Sequence, residues 1–285
     1  MFFRSLIISL VLNFIFIDSL LAIPNPVIFV HGIGDSSVAW KVAGPAVSSY
    51  LDKYYKTPEH PYFLAGSGIG KDMYDQDFSD NLRNSCVYIT FKDHFADPSD
   101  QVQELKGLIE DTRAEVESYF GRDTKVDLVT FSMGGLTARK YLTEHPQDHG
   151  IGKLILLAVP NLGSRGLLFL PPLPIEMRGV KWNSKAVEAM KEGSEFIKKL
   201  NSQPMPVEVE YIAIISDTTY LPHFLINKIL FYGGGDGAIA VESQKLSEKS
   251  APNFKNLNYK EFYIDSPHFQ CPFKSDREII KALNL

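Results

Sequence analysis

Cysteine is scarce in this chain: 285 residues contain only Cys86 and Cys271. That permits one disulfide at most. In an exported protein the pair is either one Cys86–Cys271 bridge or two free thiols, and spacing leaves both open. Basic excess is also lacking. A formal net charge of −5 leaves no electrostatic footprint for nucleic acid. No cluster of ligating residues has a recognisable metal spacing, so no metal and no cofactor is expected, with a structural calcium ion left open. The glycines at 66–70 and 233–235 do not open a helix directly after a strand, which removes phosphate-loop and dinucleotide readings. Internal repeats and low-complexity tracts are absent too. Otherwise the composition, 45% hydrophobic and 22% charged, is that of an ordinary globular protein.

Long apolar runs are confined to the start. "MFFRSLIISLVLNFIFIDSLLA" has an early arginine, an apolar core from Leu6 to Ile17 interrupted by Asn13, and small residues toward Ala22. The core is short for a bilayer span. The layout predicts a signal peptide over 1–22, cleavage near Ala22 and an exported, secreted or periplasmic protein. No cysteine lies near that cut to carry a lipid anchor.

From residue 23 to 285 the expectation is one α/β domain. Strand-like and helix-like stretches alternate, the pattern of a parallel sheet with crossover helices. Strands are expected at 27–31, 87–91, 126–131, 153–159, 207–215 and 259–264. Helices are expected at 43–55, 98–120, 133–144, 184–200 and 275–283. Two stretches break the rhythm. Residues 57–86 read as a long surface excursion. Residues 161–183 combine "LLFL" with three prolines, and read as a lid over an apolar cleft or as a loop packed on the body.

Chemistry concentrates in "DLVTFSMGGLTARKYL". Here Ser132 stands where an apolar strand gives way to a helix. It is either a helix N-cap or a nucleophile lifted by a strained strand-to-helix turn. Gly134 leaves room for the helix to pass close to the sheet. Upstream, "PVIFVHGIGDSS" ends a strand at His31 and follows it with a glycine-flanked turn. Acyl transfer needs amides aimed at a developing oxyanion; the N–H groups of Ile33 and Met133 are the nominees. Among the histidines, His268 follows the last strand, on the side of the sheet where the serine turn lies, and is the candidate base. His60, His94, His145, His149 and His223 have bland structural explanations. Three aspartates compete to orient His268: Asp236 within "GGGDG", Asp217 after a strand, and Asp265, too close in sequence to His268 to wrap round it. Both Asp236 and Asp217 keep the chain order Ser, Asp, His.

These segments resemble the α/β-hydrolases of bacterial lipase and esterase type. "VIFVHGIGDSS", "VDLVTFSMGGLTARKYL" and "KLILLAVPNLGS" are similar to that group's first strand, nucleophile turn and next strand. "KEGSEFIKKLN" resembles its serine-plus-asparagine segment, and "GGGDGAIAVES" its aspartate loop. The resemblance implies an α/β-hydrolase fold, a mostly parallel sheet covered by helices on both faces, with a lid-like insertion. It also lifts Asp236 over Asp217, giving Ser132, Asp236 and His268 as the implied catalytic set. Two positions depart from the pattern: Thr130 replaces the first glycine of the serine turn, and Asn161 stands where many relatives have histidine, in what reads as a flanking loop. "HGIGDSS" is more weakly similar to palmitoyl-protein thioesterases. The implied activity is hydrolysis of lipid-like carboxylic esters, with transient contact at a lipid interface. A thioesterase with the same triad, and a non-catalytic exported surface protein on the same fold, are the alternatives.

Overall fold

The computed structural model describes residues 24–55, 86–121, 123–165, 183–220, 233–248 and 251–285, together with His223, Asn227 and Ile229. The export segment, the excursion at 57–85, His60 and most of the lid segment lie outside these described residues. No described helix is long and apolar enough to cross a membrane.

Among the described residues six strands form one sheet: β1 Val27–Val30, β2 Cys86–Ile89, β3 Val126–Phe131, β4 Ile151–Leu157, β5 Glu210–Ser216 and β6 Asn258–Ile264. All pairings are parallel and the order is β2-β1-β3-β4-β5-β6. The central strands β1 and β3 are buried along their whole length, which is why they read as unbroken apolar runs. The main helices are α1 Ala43–Tyr55, α2 Pro98–Phe120, α3 Met133–Glu144, α4 Lys185–Met190 and α5 Glu195–Ser202; then come short α6 Val241–Gln244 and α7 Cys271–Lys274, and finally α8 Asp276–Leu283.

Handedness distributes these helices. The chain moves from β1 to β2 in one direction along the sheet and from β2 onward in the other. Right-handed crossovers therefore put α1 on one face and α2, α3, α4 and α5 on the opposite face. The packing agrees: α1 lies against α8, and α2 against α3. Reversal of strand order between β1 and β3 opens a crevice at their C-terminal ends, the usual place for a site in such a sheet.

Three expected elements differ. The single helix expected at 184–200 is two, because Gly193 takes φ 77 and Ser194 starts the second by accepting from Ile197 N–H and donating to Ala189 O. The strand expected to run to Val159 stops at Leu157, since Ala158 adopts φ 50. The strand expected from Val207 begins at Glu210, after a turn that the Tyr211 hydroxyl ties to Pro206 O at 2.7 Å. Cys86 and Cys271 are both buried free thiols, so the disulfide alternative is not realised.

Glycines decide how near α3 comes to the sheet. A Cβ on Gly134 would fall well inside contact distance of the His31 carbonyl oxygen, and one on Gly135 would collide with the Val159 side chain. In an ordinary helix interior Gly→Ala stabilises by about 1 kcal/mol. Here the backbone contact reverses the sign: Gly134→Ala is expected to destabilise by about 1–3 kcal/mol, measured as a lower urea midpoint.

Candidate active site

β3 delivers Ser132 to the crevice. Its backbone sits at φ 50, ψ −123, a conformation that costs an L-residue roughly 1–3 kcal/mol. Two bonds hold it there: Ser132 N–H donates to Leu157 O at 3.0 Å, and Gly135 N–H donates to Ser132 O at 3.1 Å. The hydroxyl makes no capping bond to the helix, which answers the question left open by the sequence. Thr130 does not prevent the turn. It lies fully buried in β3 and its hydroxyl donates to Ile155 O at 2.8 Å.

Instead of capping, Ser132 Oγ lies 3.0 Å from His268 Nε2, and His268 Nδ1 lies 2.7 Å from Asp236 Oδ2. A carboxylate only accepts, so Nδ1 carries the proton and Nε2 faces the serine hydroxyl with its lone pair. All three side chains are buried. Phe131 packs obliquely on the imidazole with ring centroids 5.0 Å apart, and Phe269 meets it edge-on at 5.2 Å. These two rings hold the imidazole between them.

The aspartate loop is secured at several points. Asp236 Oδ1 accepts from Ala238 N–H at 2.9 Å and Ile239 N–H at 2.7 Å, while His268 N–H donates to Asp236 O at 2.9 Å. Asp217 has a supporting place. It is exposed, its carboxylate accepts from Gly235 N–H at 2.9 Å, and a Cβ on Gly234 would come within 2.6 Å of it. Asp265 faces away to Thr219, accepting from its N–H and hydroxyl.

Ile33 lines a small hollow of about 40 Å³ together with Ser132 and His268. Met133 is the first residue of α3, so its N–H is among the amides that have no carbonyl one turn earlier to meet. Both nominees therefore border the serine. A larger hollow of about 470 Å³, beyond the aspartate loop, is lined by Arg165, Asp217 and Glu242 and by none of the serine, histidine or Asp236. Among the described residues no group of three or more His, Cys, Asp or Glu side chains is gathered as a metal would require.

Other histidines have different tasks. His149 accepts from Ile151 N–H and reaches Glu208, His145 ends α3, and the rings of His94 and His223 lie against Phe95 and Tyr220. His31 is the one that sequence reading passed over. Its Nδ1 donates to Gly32 O at 2.7 Å and its Nε2 accepts from Phe91 N–H at 3.1 Å. One neighbour can only accept and the other only donate, so the ring must be neutral. It ties the turn bearing Ile33 to the segment after β2. Its signal was the "HG" after a buried strand, which looks the same whether the imidazole is packed or functional.

Asn161 is likewise more than a flanking loop residue. It is fully buried; its backbone and side-chain oxygens accept from Arg139, and its Nδ2 donates to Gln244 O. Gln244 in turn donates to Ser216 O and Ile239 O, so the network braces the aspartate loop. Arg139 itself is buried among neutral groups, with Asn201 Oδ1 at 2.7 Å and the Phe254 ring at 4.8 Å, and burial lowers its pKa to about 9.

No family model and no curated protein matches the chain; solved structures do. The lipase BlEst2 of Bacillus licheniformis, in mature form, is similar with a TM-score of 0.61 at 19% identity over 92% of each chain. The α/β-hydrolase fold is established. The product of gene lin2722 of Listeria innocua is similar at TM-score 0.53 and 16% identity, over 91% of this chain and 94% of that one. Phospholipase PlaB of Legionella pneumophila gives 0.52 and 15%, over 79% of this chain and 46% of its own. At such identities the likeness is one of fold.

Burial pulls the His31 imidazole down to about 4, against the ordinary 6.5. Between those values the unfolded chain binds a proton that the folded chain refuses. This contribution, on the order of 3 kcal/mol, is complete above pH 6.5 and is lost as pH falls toward 4. Asp127, lifted by burial to about 6 from 3.8, has the opposite sign: its folded form gains relative stability as pH falls through that window. His31→Gln should therefore flatten the fall in urea midpoint between pH 6.5 and 4, whereas Asp127→Asn should steepen it.

Proposed function

We propose that the chain is a serine hydrolase that cleaves carboxylic esters through an acyl-enzyme. The reading is carried by the unbroken line of hydrogen bonds from Ser132 through His268 to Asp236, at the C-terminal crevice of an α/β-hydrolase fold.

Ser132 Oγ attacks the ester carbonyl carbon as its proton passes to His268 Nε2. The carbonyl π electrons move onto oxygen, where the Ile33 and Met133 amides stabilise the negative charge. Collapse of the tetrahedral species breaks the C–O bond, and the departing alcohol takes the proton from Nε2. Water then repeats the sequence on the acyl-enzyme and releases the acid. Asp236 keeps the proton of the resting imidazole on Nδ1 and stabilises the imidazolium that forms. The strain at Ser132 belongs to the same design, because it turns the hydroxyl away from the helix amides and toward His268.

Lipase and esterase chemistry is the class of reaction in this proposal, and the export reading of residues 1–22 would place it outside the cytoplasm. The apolar "LLFL" run that suggested lipid-like substrates falls outside the described residues. Thioesters pass through the same intermediate and enter as an outcome of the test.

Ser132→Ala should fold normally and lose nearly all turnover of p-nitrophenyl esters, keeping at most a residual on the order of 10³-fold over water. Asp236→Asn should lower kcat by up to about 10⁴-fold, since an amide can donate to Nδ1 and favour the wrong tautomer. Asp217→Asn, which disturbs only the support of the loop, should lose far less. Equal turnover by folded wild type and Ser132→Ala would falsify the mechanism, matched thioesters hydrolysed in preference would reassign the bond cleaved, and inactivity of a folded wild type on both would favour the non-catalytic alternative.

A further inference from the structure

Besides Ser132 and His268, the hollow is walled by side chains that take no part in proton transfer. Val187 and Met190 stand three residues apart on one face of α4, with Ile239 from the aspartate loop, Ile33 and Phe269 completing an apolar lining. Val187, Met190 and Ile239 are all buried, so their positions are set by packing. α4 is itself fastened to the site: Ser164 N–H donates to Met190 O at 2.8 Å, Ala186 N–H donates to Phe95 O at 3.2 Å, and Ser184 caps its start. This wall is not free to withdraw.

Size decides what it accepts. The hollow holds about 40 Å³, whereas a dry cavity of about 150 Å³ is needed for the six carbons of benzene. By that scale, about 25 Å³ per carbon, the space takes one or two carbons beyond the carbonyl at Ser132, which suits an acetyl or propionyl group. Among the described residues that line it, Asp35 brings a carboxylate, which disfavours acyl groups carrying a negative charge of their own. We infer that this is the acyl pocket, that it selects short neutral acyl groups, and that Val187 and Met190 are the residues that stop longer ones. The inference rests on Ser132 being the nucleophile, and it narrows the lipid-like ester class expected from the sequence. Within the pocket each added methylene should strengthen transition-state binding about fourfold. Once the chain meets the α4 wall the gain ends and steric rejection begins, worth about 10-fold or more per carbon.

The test is a series of p-nitrophenyl esters from acetate to laurate, hydrolysed by the purified full chain, with Ser132→Ala as the blank. Wild-type kcat/KM should peak at acetate or propionate and fall about 10-fold or more for each carbon added beyond that. Met190→Ala should move the optimum to longer chains, and Val187→Ala should do so independently, so that one variant failing to fold leaves the other and the wild-type profile to decide. Serine-dependent turnover that climbs steadily to laurate, or an optimum unmoved in folded Met190→Ala and Val187→Ala, overturns the inference and leaves the hydrolase reading standing. Absence of serine-dependent turnover at every length overturns the hydrolase reading and the inference with it.

Discussion

Everything in the site depends on how closely the start of α3 approaches the end of β1. Gly134 lies against the carbonyl oxygen of His31 with no space for a Cβ, and this contact sets the depth at which Ser132 emerges from the sheet. The serine backbone is then fixed between Leu157 O on one side and Gly135 N–H on the other. A positive φ at a serine is unfavourable by itself. It persists because the surrounding backbone leaves the chain no room to relax, and the energy comes from the buried strands on either side.

Around that point the protein uses neutral hydrogen-bonding groups far more than ion pairs. His31 must be uncharged to serve both Gly32 O and Phe91 N–H. Arg139 is a cation held by amide oxygens and an aromatic ring. Asn161, Asn201 and Gln244 join the loop after β4, α5 and the aspartate loop through side-chain amides. Amides satisfy donors and acceptors together without the desolvation cost of a buried charge. The negative charge of Asp236 therefore stands alone beside His268, met by two backbone amides and one imidazole N–H.

Three strands supply the reacting groups. Ser132 follows β3, Asp236 lies in the long connection after β5, and His268 comes four residues beyond β6. They meet because parallel strands all end on one edge of the sheet, and because the connections leaving β1 and β3 there run to opposite faces. This arrangement keeps the candidate site on loops and its precision in the sheet. In the proposed reaction the α4 wall adds a third ingredient, an apolar surface that limits the acyl length.

Much of this was legible in the residues themselves. Buried parallel strands announce themselves as apolar β-branched runs, so β3 and α3 fall at the residues expected, as do α1 and α2. The serine, the HG turn and the histidine after the last strand were readable because each depends on local backbone chemistry or on chain order. Other features arise only when distant segments meet. The residues alone left Asp236 and Asp217 open and the resemblance favoured Asp236; that its carboxylate reaches Nδ1 is a matter of ångströms between loops far apart in sequence. The split of the 184–200 helix was hidden because periodicity carries across a glycine whose φ is set by its surroundings. His31, Asn161 and Arg139 looked ordinary because a hydrogen-bond network has no sequence period. What the sequence by itself determined is the succession of strands and helices and the residue types of the site, since both follow from patterns along the chain. The order of the strands, which histidine is merely neutral scaffolding, and how much space lies beside the serine were decided only by the tertiary structure, because each depends on distances between residues that the chain keeps tens of positions apart.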